Sequence, residues 1–190
     1  IVGAGDTVVE ASNGGTDRVE SGLTATLGAH VENLTLTGSA AINGTGNGLD
    51  NVLVGNSAAN TLTGGTGNDT FVFQRGHGQD LVQDNSGAAD KLLYDAGINP
   101  LDLVISRQAN DLRVAVHGST DAVLIDKWYS GTANRTETIQ AGNGQILLSS
   151  QVDQLIQAMA GFTTQTGLTW DQAIDQQPQD VQTVLAASWH

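Results

Sequence analysis

The chain has 190 residues, of which 39% are hydrophobic and 14% are charged, a balance typical of a folded protein with room for one good core or two small ones. Twenty acidic residues against seven basic ones give a formal net charge of −13, which disfavours nucleic acid and anionic membrane surfaces as partners and favours cations. Cysteine is absent, which excludes disulfides and thiolate metal sites.

The chain starts with IVGAGDTVVE, which contains neither an initiating Met nor a basic and apolar leader. No segment approaches the roughly 18 apolar residues of a membrane span. We therefore expect a fragment of a longer protein, without membrane insertion. In the first twenty residues, Asp6 and Asp17 each follow a glycine-rich turn and are candidate cation ligands.

Further along, a unit of nine residues repeats, in which a glycine-rich or polar turn precedes a very short apolar strand. Three consecutive units are GNGLDNVLV (46–54), GNSAANTLT (55–63) and GGTGNDTFV (64–72). Their sixth and eighth positions are Asn51 and Leu53, Asn60 and Leu62, and Asp69 and Phe71. Two such units make one flattened coil of 18 residues, so the pattern predicts a solenoid in which turn 46–51 stacks on turn 64–69.

This stacking can build a calcium site. Ca²⁺ prefers about six to eight oxygen ligands, and it takes them from carboxylates and from main-chain carbonyls. Asp69 supplies a carboxylate at the end of a turn whose carbonyls are free to converge with those of neighbouring turns. We therefore predict that Asp69 is the main ligand of a bound Ca²⁺.

The unit GGTGNDTFV matches the G-G-x-G-x-D-x-U-x nonapeptide of repeats-in-toxin (RTX) proteins. Residues 76–94 resemble the segment that closes the parallel β-roll of secreted RTX proteins, and residues 102–148 resemble the β-rich block of haemolysin-type calcium-binding proteins. Residues 31–47 are similar to spacer repeats of large RTX surface proteins and to the R-modules of alginate epimerases.

The resemblance implies Ca²⁺ as the cofactor, held by carboxylates and by turn residues. The candidate ligands are Asp69, then Asp80, Asp84 and Asp90, then the turn residues Asn51, Asn60, Gly65, Gly67, Gly76 and Gly78, with Asp6 and Asp17 as weaker matches. Asn51 and Asn60 stand where the family has Asp, so their turns are expected to stack by side-chain hydrogen bonds with little or no metal affinity. We expect about one to three ions.

Residues 96–148 alternate apolar and polar positions with a period of two, which predicts short strands with one buried face. The alternating runs are 101–106, 112–116, 123–126, 138–140 and 146–148. We expect an antiparallel or mixed sheet that caps the open end of the solenoid, with Trp128 and Tyr129 packed over the junction rather than forming a sugar platform.

Residues 149–190 are predicted to be helical, with a capping box at Ser150 and Asp153 and a helix start at Pro178. In RTX proteins an acidic, amphipathic C-terminus of this kind is an uncleaved signal for the type I secretion machinery. The alternative is a terminal helix that only docks on the sheet.

No catalytic motif is present, and the four histidines lie far apart in the sequence, so we predict a protein that is not an enzyme. His77, close to Asp80 and Asp84, is expected to be an exposed turn residue rather than a transition-metal ligand. The predicted fold is dominated by β structure: a parallel β-roll over 1–95, a β-rich cap over 96–148 and short helices over 149–190.

The function expected from the sequence is a calcium-binding module of a bacterial protein that is secreted or held at the cell surface, and that folds when it meets calcium outside the cell. Two alternatives remain open. One is a carbohydrate-binding module, alginate-like in its ligand, attached to a secreted enzyme. The other is an adhesin tip that binds a polysaccharide or a cell-surface partner.

Overall fold

The computed structural model describes residues 8–11, 14–84 and 86–190. Asp6 therefore lies outside the described residues. The strands of the described part are β1 (Arg18–Ser21), β2 (Ala25–Thr26), β3 (Asn33–Leu36), β4 (Gly44–Thr45), β5 (Val52–Val54), β6 (Thr61–Thr63), β7 (Thr70–Phe73), β8 (Gln79–Gln83), β9 (Lys91–Tyr94), β10 (Leu103–Gln108), β11 (Asp111–Val116), β12 (Ala122–Ile125), β13 (Thr138–Gln140) and β14 (Ile146–Leu148). The helices are α1 (Val152–Thr166), α2 (Trp170–Gln176) and α3 (Pro178–Leu185).

Up to β9 the chain alternates between two sheets. The first sheet has the strand order β1-β3-β5-β7-β9-β13-β14, and the second has the order β10-β11-β12-β8-β6-β4-β2. Neighbouring strands from β1 to β9 are parallel, and the pairs Leu53↔Phe71 and Gly44↔Leu62 are 18 residues apart. The predicted coil of two nine-residue units is confirmed.

The space between the sheets is filled by one inward-facing residue per short strand. In the first sheet Leu34, Leu53, Phe71, Leu92 and Ile139 are paired in series and are fully buried. In the second sheet Leu62, Val82, Ile125 and Leu112 form the matching series. A strand of three residues is long enough because only its central side chain has to reach the core.

Residues 96–148 extend both sheets. Strand β12 adds to β8 and strand β13 adds to β9, each in parallel. Beyond them the pairs β11–β12, β10–β11 and β13–β14 are antiparallel, so the expected mixed arrangement is present. Trp128 is buried and Tyr129 packs against the core, as predicted.

The C-terminal segment is helical, and α3 begins at Pro178 as predicted. The predicted capping box at Ser150 and Asp153 is wrong, because a 3-10 turn, Ser149–Gln151, leads directly into α1. A capping box is found at α2 instead, where Thr169 and Gln172 exchange hydrogen bonds between side chain and backbone.

Helices, including 3-10 turns, make up 22% of the described residues and strands 29%. The expectation of a fold dominated by β structure is thus confirmed only in part. The protein combines two mostly parallel sheets with a short helical C-terminal segment.

The series of buried side chains between the two sheets leads to a prediction about stability. Phe71→Ala removes a fully buried ring from between the two sheets, so we expect a loss of about 3–5 kcal/mol in the free energy of unfolding, measured by urea denaturation. Val72→Ala is the control, because Val72 is only half-buried on the opposite face of the same strand and should cost much less. Equal losses for the two variants would contradict the assigned orientation of β7.

Candidate metal centre

The turns between the sheets lie at two edges. The first edge is formed by the turns that lead into the first sheet, residues 27–32, 46–51, 64–69 and 86–90. The second edge comprises the turns that lead into the second sheet, residues 37–43, 55–60 and 74–78. The candidate ligands are therefore divided between two separate places.

At the first edge, a polar residue directly precedes each strand of the parallel part of the first sheet. Together they form a column, which we call the polar column: Asp17, Glu32, Asn51, Asp69, Asp90 and Glu137. Most of its members accept a hydrogen bond from the backbone N–H of the member one coil earlier. Asn51 donates to Asp69 over 2.8 Å, Asp69 to Asp90 over 2.6 Å, and Asp90 to Glu137 over 2.8 Å.

Three carboxylates meet between turns 64–69 and 86–90. Asp69, Asp84 and Asp90 are at most 1% exposed, and Asp84 lies within the electrostatic influence of both others. Oδ2 of Asp69 and Oδ2 of Asp84 are buried without a hydrogen-bond partner. Among the described residues, none of the three forms an ion pair with Lys or Arg. No cationic side chain therefore neutralises this cluster.

Burial raises the pKa of all three carboxyl groups. The pKa of Asp69 rises to about 6, because burial outweighs the hydrogen bond from the Asn51 backbone and the charge of Asp90 adds to the effect. The pKa of Asp84 rises to about 8 through burial and through the negative charge of Asp90. The pKa of Asp90 is raised too, chiefly by burial. At pH 7 the carboxyl group of Asp84 therefore keeps its proton when no cation neutralises the cluster.

Glycines let the turns approach this cluster closely. A Cβ on Gly64 would lie 2.2 Å from Oδ2 of Asp69, so only glycine leaves room for the carboxylate there. Gly65 has a φ of +115°, and a Cβ on it would lie 2.1 Å from the carbonyl oxygen of Asn47. The Gly65 carbonyl accepts a hydrogen bond from Ser86 Oγ at 3.0 Å. The turns around the carboxylates are therefore closely stacked.

The asparagine turns differ in a specific way. Asn51 Nδ2 donates to the carbonyl oxygens of Val31 and Glu32 in the preceding coil, and Asn51 Oδ1 accepts from the backbone of Asn47. The expected stacking by Asn side chains is confirmed. The amide NH₂ group thus joins the turn of Asn51 to two carbonyl oxygens of the preceding coil.

Asn60 makes the same arrangement at the second edge. Its Nδ2 donates to the carbonyl oxygen of Ile42 at 2.6 Å, and its Oδ1 accepts from the backbone of Asn56 at 2.8 Å. Its own backbone N–H donates to Oδ1 of Asp80 at 2.9 Å. Asp80 therefore follows Asn60 by one coil, as Asp69 follows Asn51.

Asp80 is 4% exposed, and burial raises its pKa to about 7. Its Oδ2, the Nδ1 of His77 and the hydroxyl of Tyr94 are buried without partners and belong to residues around one small cavity. His77 is 5% exposed, so the prediction of an exposed histidine is wrong. The reason is that His77 packs edge-on against Phe73 and that distant residues, Tyr94 and Asp121 among them, surround the same cavity.

The remaining predicted ligands have other roles in the structure. Gly76 and Gly78 both have positive φ, and their N–H groups donate to the carboxylate of Asp121 at 2.9 and 3.0 Å. Gly67, with a φ of +112°, packs against the carbonyl of Leu49. Asp17 lies at the start of the polar column, away from the cluster, and its backbone N–H donates to Glu32 at 2.8 Å.

The sequence interpretation missed Glu32, Glu137 and Asp121. Each is an acidic residue directly before a strand, as Asp69 and Asp90 are, and that position was the available signal. The turns before them lack the glycine pattern of the nonapeptide, so motif matching passed over them.

A comparison with protein-family models finds no match. In the described part of the chain, no three or more His, Cys, Asp or Glu side chains are grouped to hold a metal ion. A cation at the first edge would thus need main-chain oxygens as well as carboxylates. No helix among the described residues is long and apolar enough to cross a bilayer.

The raised pKa values predict how stability depends on pH. The ordinary pKa of an aspartate is 3.8, and in the folded protein the pKa is about 6 for Asp69 and about 8 for Asp84. Between the ordinary and the raised pKa values, the folded protein therefore binds more protons than the unfolded chain. The free energy of unfolding should therefore fall as pH rises through this range. We expect a loss of roughly 2–4 kcal/mol between pH 5 and pH 8.5, measured by urea denaturation in EDTA.

Two variants test whether this dependence of stability on pH comes from the buried carboxylates. Asp69→Asn should reduce this dependence on pH, whereas Asp180→Asn, in the exposed first turn of α3, should leave it unchanged. A wild-type protein that is equally stable at both pH values would contradict the buried carboxylate cluster.

Proposed function

We propose that this chain is a non-catalytic, calcium-binding module of the RTX type, in which the two alternating sheets form a parallel β-roll. Ca²⁺ binds at the first edge between Asp69, Asp84 and Asp90, and main-chain carbonyls of the adjoining turns complete the shell. The observation that carries the proposal is the burial of these three carboxylates beside each other without a cationic side chain.

The residues present fit Ca²⁺ better than other common ions. The donors are carboxylate and carbonyl oxygens, which suit hard cations, whereas a zinc site in proteins usually draws on Cys or His. Mg²⁺ requires a small octahedral shell and gives up its waters reluctantly. A site made of stacked turns draws on main-chain oxygens with flexible spacing, which favours Ca²⁺.

Asn51 and Asn60 support a small number of ions. Their amide groups already donate to the carbonyl oxygens of the preceding coil, so the turns that they end need no cation. Asp80 is the second candidate, because it is buried, unpaired at Oδ2 and one coil beyond Asn60. We therefore propose one site at Asp69, Asp84 and Asp90, and a further site at Asp80.

Calcium binding drives folding in this proposal. At low calcium the buried carboxylates repel each other or must take up protons, which disfavours the folded state near neutral pH. Calcium outside the cell neutralises them and stabilises the coils. The acidic helical segment 149–190 is proposed as the type I secretion signal, read before folding, of a secreted or surface protein.

The difference between Asn51 and Asp69 yields a direct test of the proposed function. Asp69→Asn keeps the oxygen that accepts from Asn51 and adds an NH₂ group that can donate to carbonyl oxygens, as Asn51 does. At pH 8 in EDTA the variant should be more stable than wild type by about 1–3 kcal/mol, because a buried charge is removed. Millimolar calcium should stabilise it less than wild type, for which each site adds roughly 1.4 kcal/mol at about ten times the Kd.

Thermal unfolding in EDTA, Ca²⁺ and Mg²⁺ measures both effects, with Asp180→Asn as the control that keeps the full calcium shift. If wild type unfolds at the same temperature in EDTA and in calcium, the proposed function is wrong. If Mg²⁺ stabilises it as well as Ca²⁺, the proposed coordination is wrong.

The converse substitution extends the same reasoning. Asn51→Asp removes the donors to Val31 and Glu32 and places a third carboxylate in line with Asp69 and Asp90. We expect the calcium-free protein to lose about 2–4 kcal/mol in the free energy of unfolding, part of which calcium restores. Asn51→Ala also loses the donors but adds no charge, so it should be destabilised without recovery in calcium. Calorimetry in EDTA and in calcium compares the two.

A further inference from the structure

A polar contact outside the first edge, made by the ring of His117, joins the second sheet to the C-terminal helices. His117 follows strand β11, and its ring touches two carboxylates of α2. Nδ1 lies 2.8 Å from Oδ1 of Asp171, and Nε2 lies 3.0 Å from Oδ1 of Asp175. The two aspartates are four residues apart and thus share one face of the helix. The histidine side chain is 19% exposed.

This geometry requires a charged ring. An ionised carboxylate only accepts hydrogen bonds, so both ring nitrogens must donate, and only the imidazolium carries two N–H groups. A neutral ring would set a lone pair against one of the two carboxylates. The hydrogen bond to Asp171 is the largest cause that raises the pKa of His117, and the contact with Asp175 adds to it against the opposing effect of partial burial.

The contacts that Arg75 and Asp102 make with His117 involve its backbone. Arg75 Nη1 donates to the His117 carbonyl at 3.3 Å, while its Nη2 pairs with Asp102 at 2.7 Å. The His117 backbone N–H donates to the Asp102 carbonyl at 2.7 Å. The ring itself therefore faces Asp171 and Asp175, and its positive charge is what makes the contact attractive.

We propose that His117 is a proton-operated latch that holds α2 on the second sheet and releases it when the ring loses its proton. Release would uncover Trp170, Ala173 and Ile174, which α2 buries. The latch shares no residue with the first edge, so it does not rest on calcium binding. Since the pKa of His117 is raised, the contact is complete well below pH 6.5 and is lost as pH rises above that value.

Two measurements on the wild-type chain test the latch. NMR titration gives the pKa of the His117 ring, and hydrogen exchange at each pH, corrected for intrinsic rates, gives the protection of the α2 amides relative to those of β11. The closed-to-open ratio of α2 should fall about tenfold for each unit by which the contact raises the pKa. All samples contain millimolar calcium, so that carboxylates elsewhere titrate less.

Three variants separate the latch from simple packing. His117→Gln should show low α2 protection at every pH, and His117→Arg, which keeps a positive charge, should show protection that no longer depends on pH. Asp171→Asn with Asp175→Asn should return the pKa of His117 to its ordinary range. A wild-type His117 that titrates at or below 6.5, or an α2 protection that is the same above and below its pKa, would overturn the proposal.

Discussion

The structure depends on the hydrogen bond between a backbone N–H of one coil and a carboxylate oxygen of the next. Parallel strands of three residues supply few ladder bonds, so the ends of the turns must be joined by side chains. In the polar column such a bond joins all successive members except Glu32 and Asn51, which are joined by the bond from Asn51 Nδ2 to the Glu32 carbonyl. Because Asp69 and Asp90 are buried, the bonds that they accept are also costly to break.

The same arrangement creates the electrostatic problem that a cation can solve. Neighbouring strands of a sheet are about 4.8 Å apart, and two unit charges at about that distance repel each other by roughly 3 kcal/mol at an effective dielectric constant of 20. Asp69 and Asp90 stand in this relation, and Asp84 adds a third charge. Asn51 avoids the problem with an amide. In the proposed function, the choice between Asn and Asp at this position of the repeat distinguishes a coil that closes by itself from one that needs a cation or a proton.

The other end of the sheets is closed by the remainder of the chain. Strand β14 would be an open edge, but His190 pairs with Ile146 through two backbone hydrogen bonds of 2.8 and 3.0 Å. Trp189 and Leu185 are buried beside it. The C-terminal helices are therefore part of the folded structure, and the latch at His117 gives their attachment its own dependence on pH.

The sequence by itself determined the coil, because the nine-residue period fixes which residues face inward and which positions of the turns stack: Leu53 on Phe71, and Asn51 on Asp69. It also indicated the strands after residue 100 and the helix start at Pro178, since both depend on local patterns. Only the tertiary structure decided which carboxylates meet. Asp84 and Asp90 join Asp69, whereas Asp80 lies at the opposite edge, because the strand between Asp80 and Asp84 carries the chain from one edge to the other. It likewise buried His77. It also brought His117 to α2, since a contact between residues 54 positions apart leaves no local pattern in a sequence.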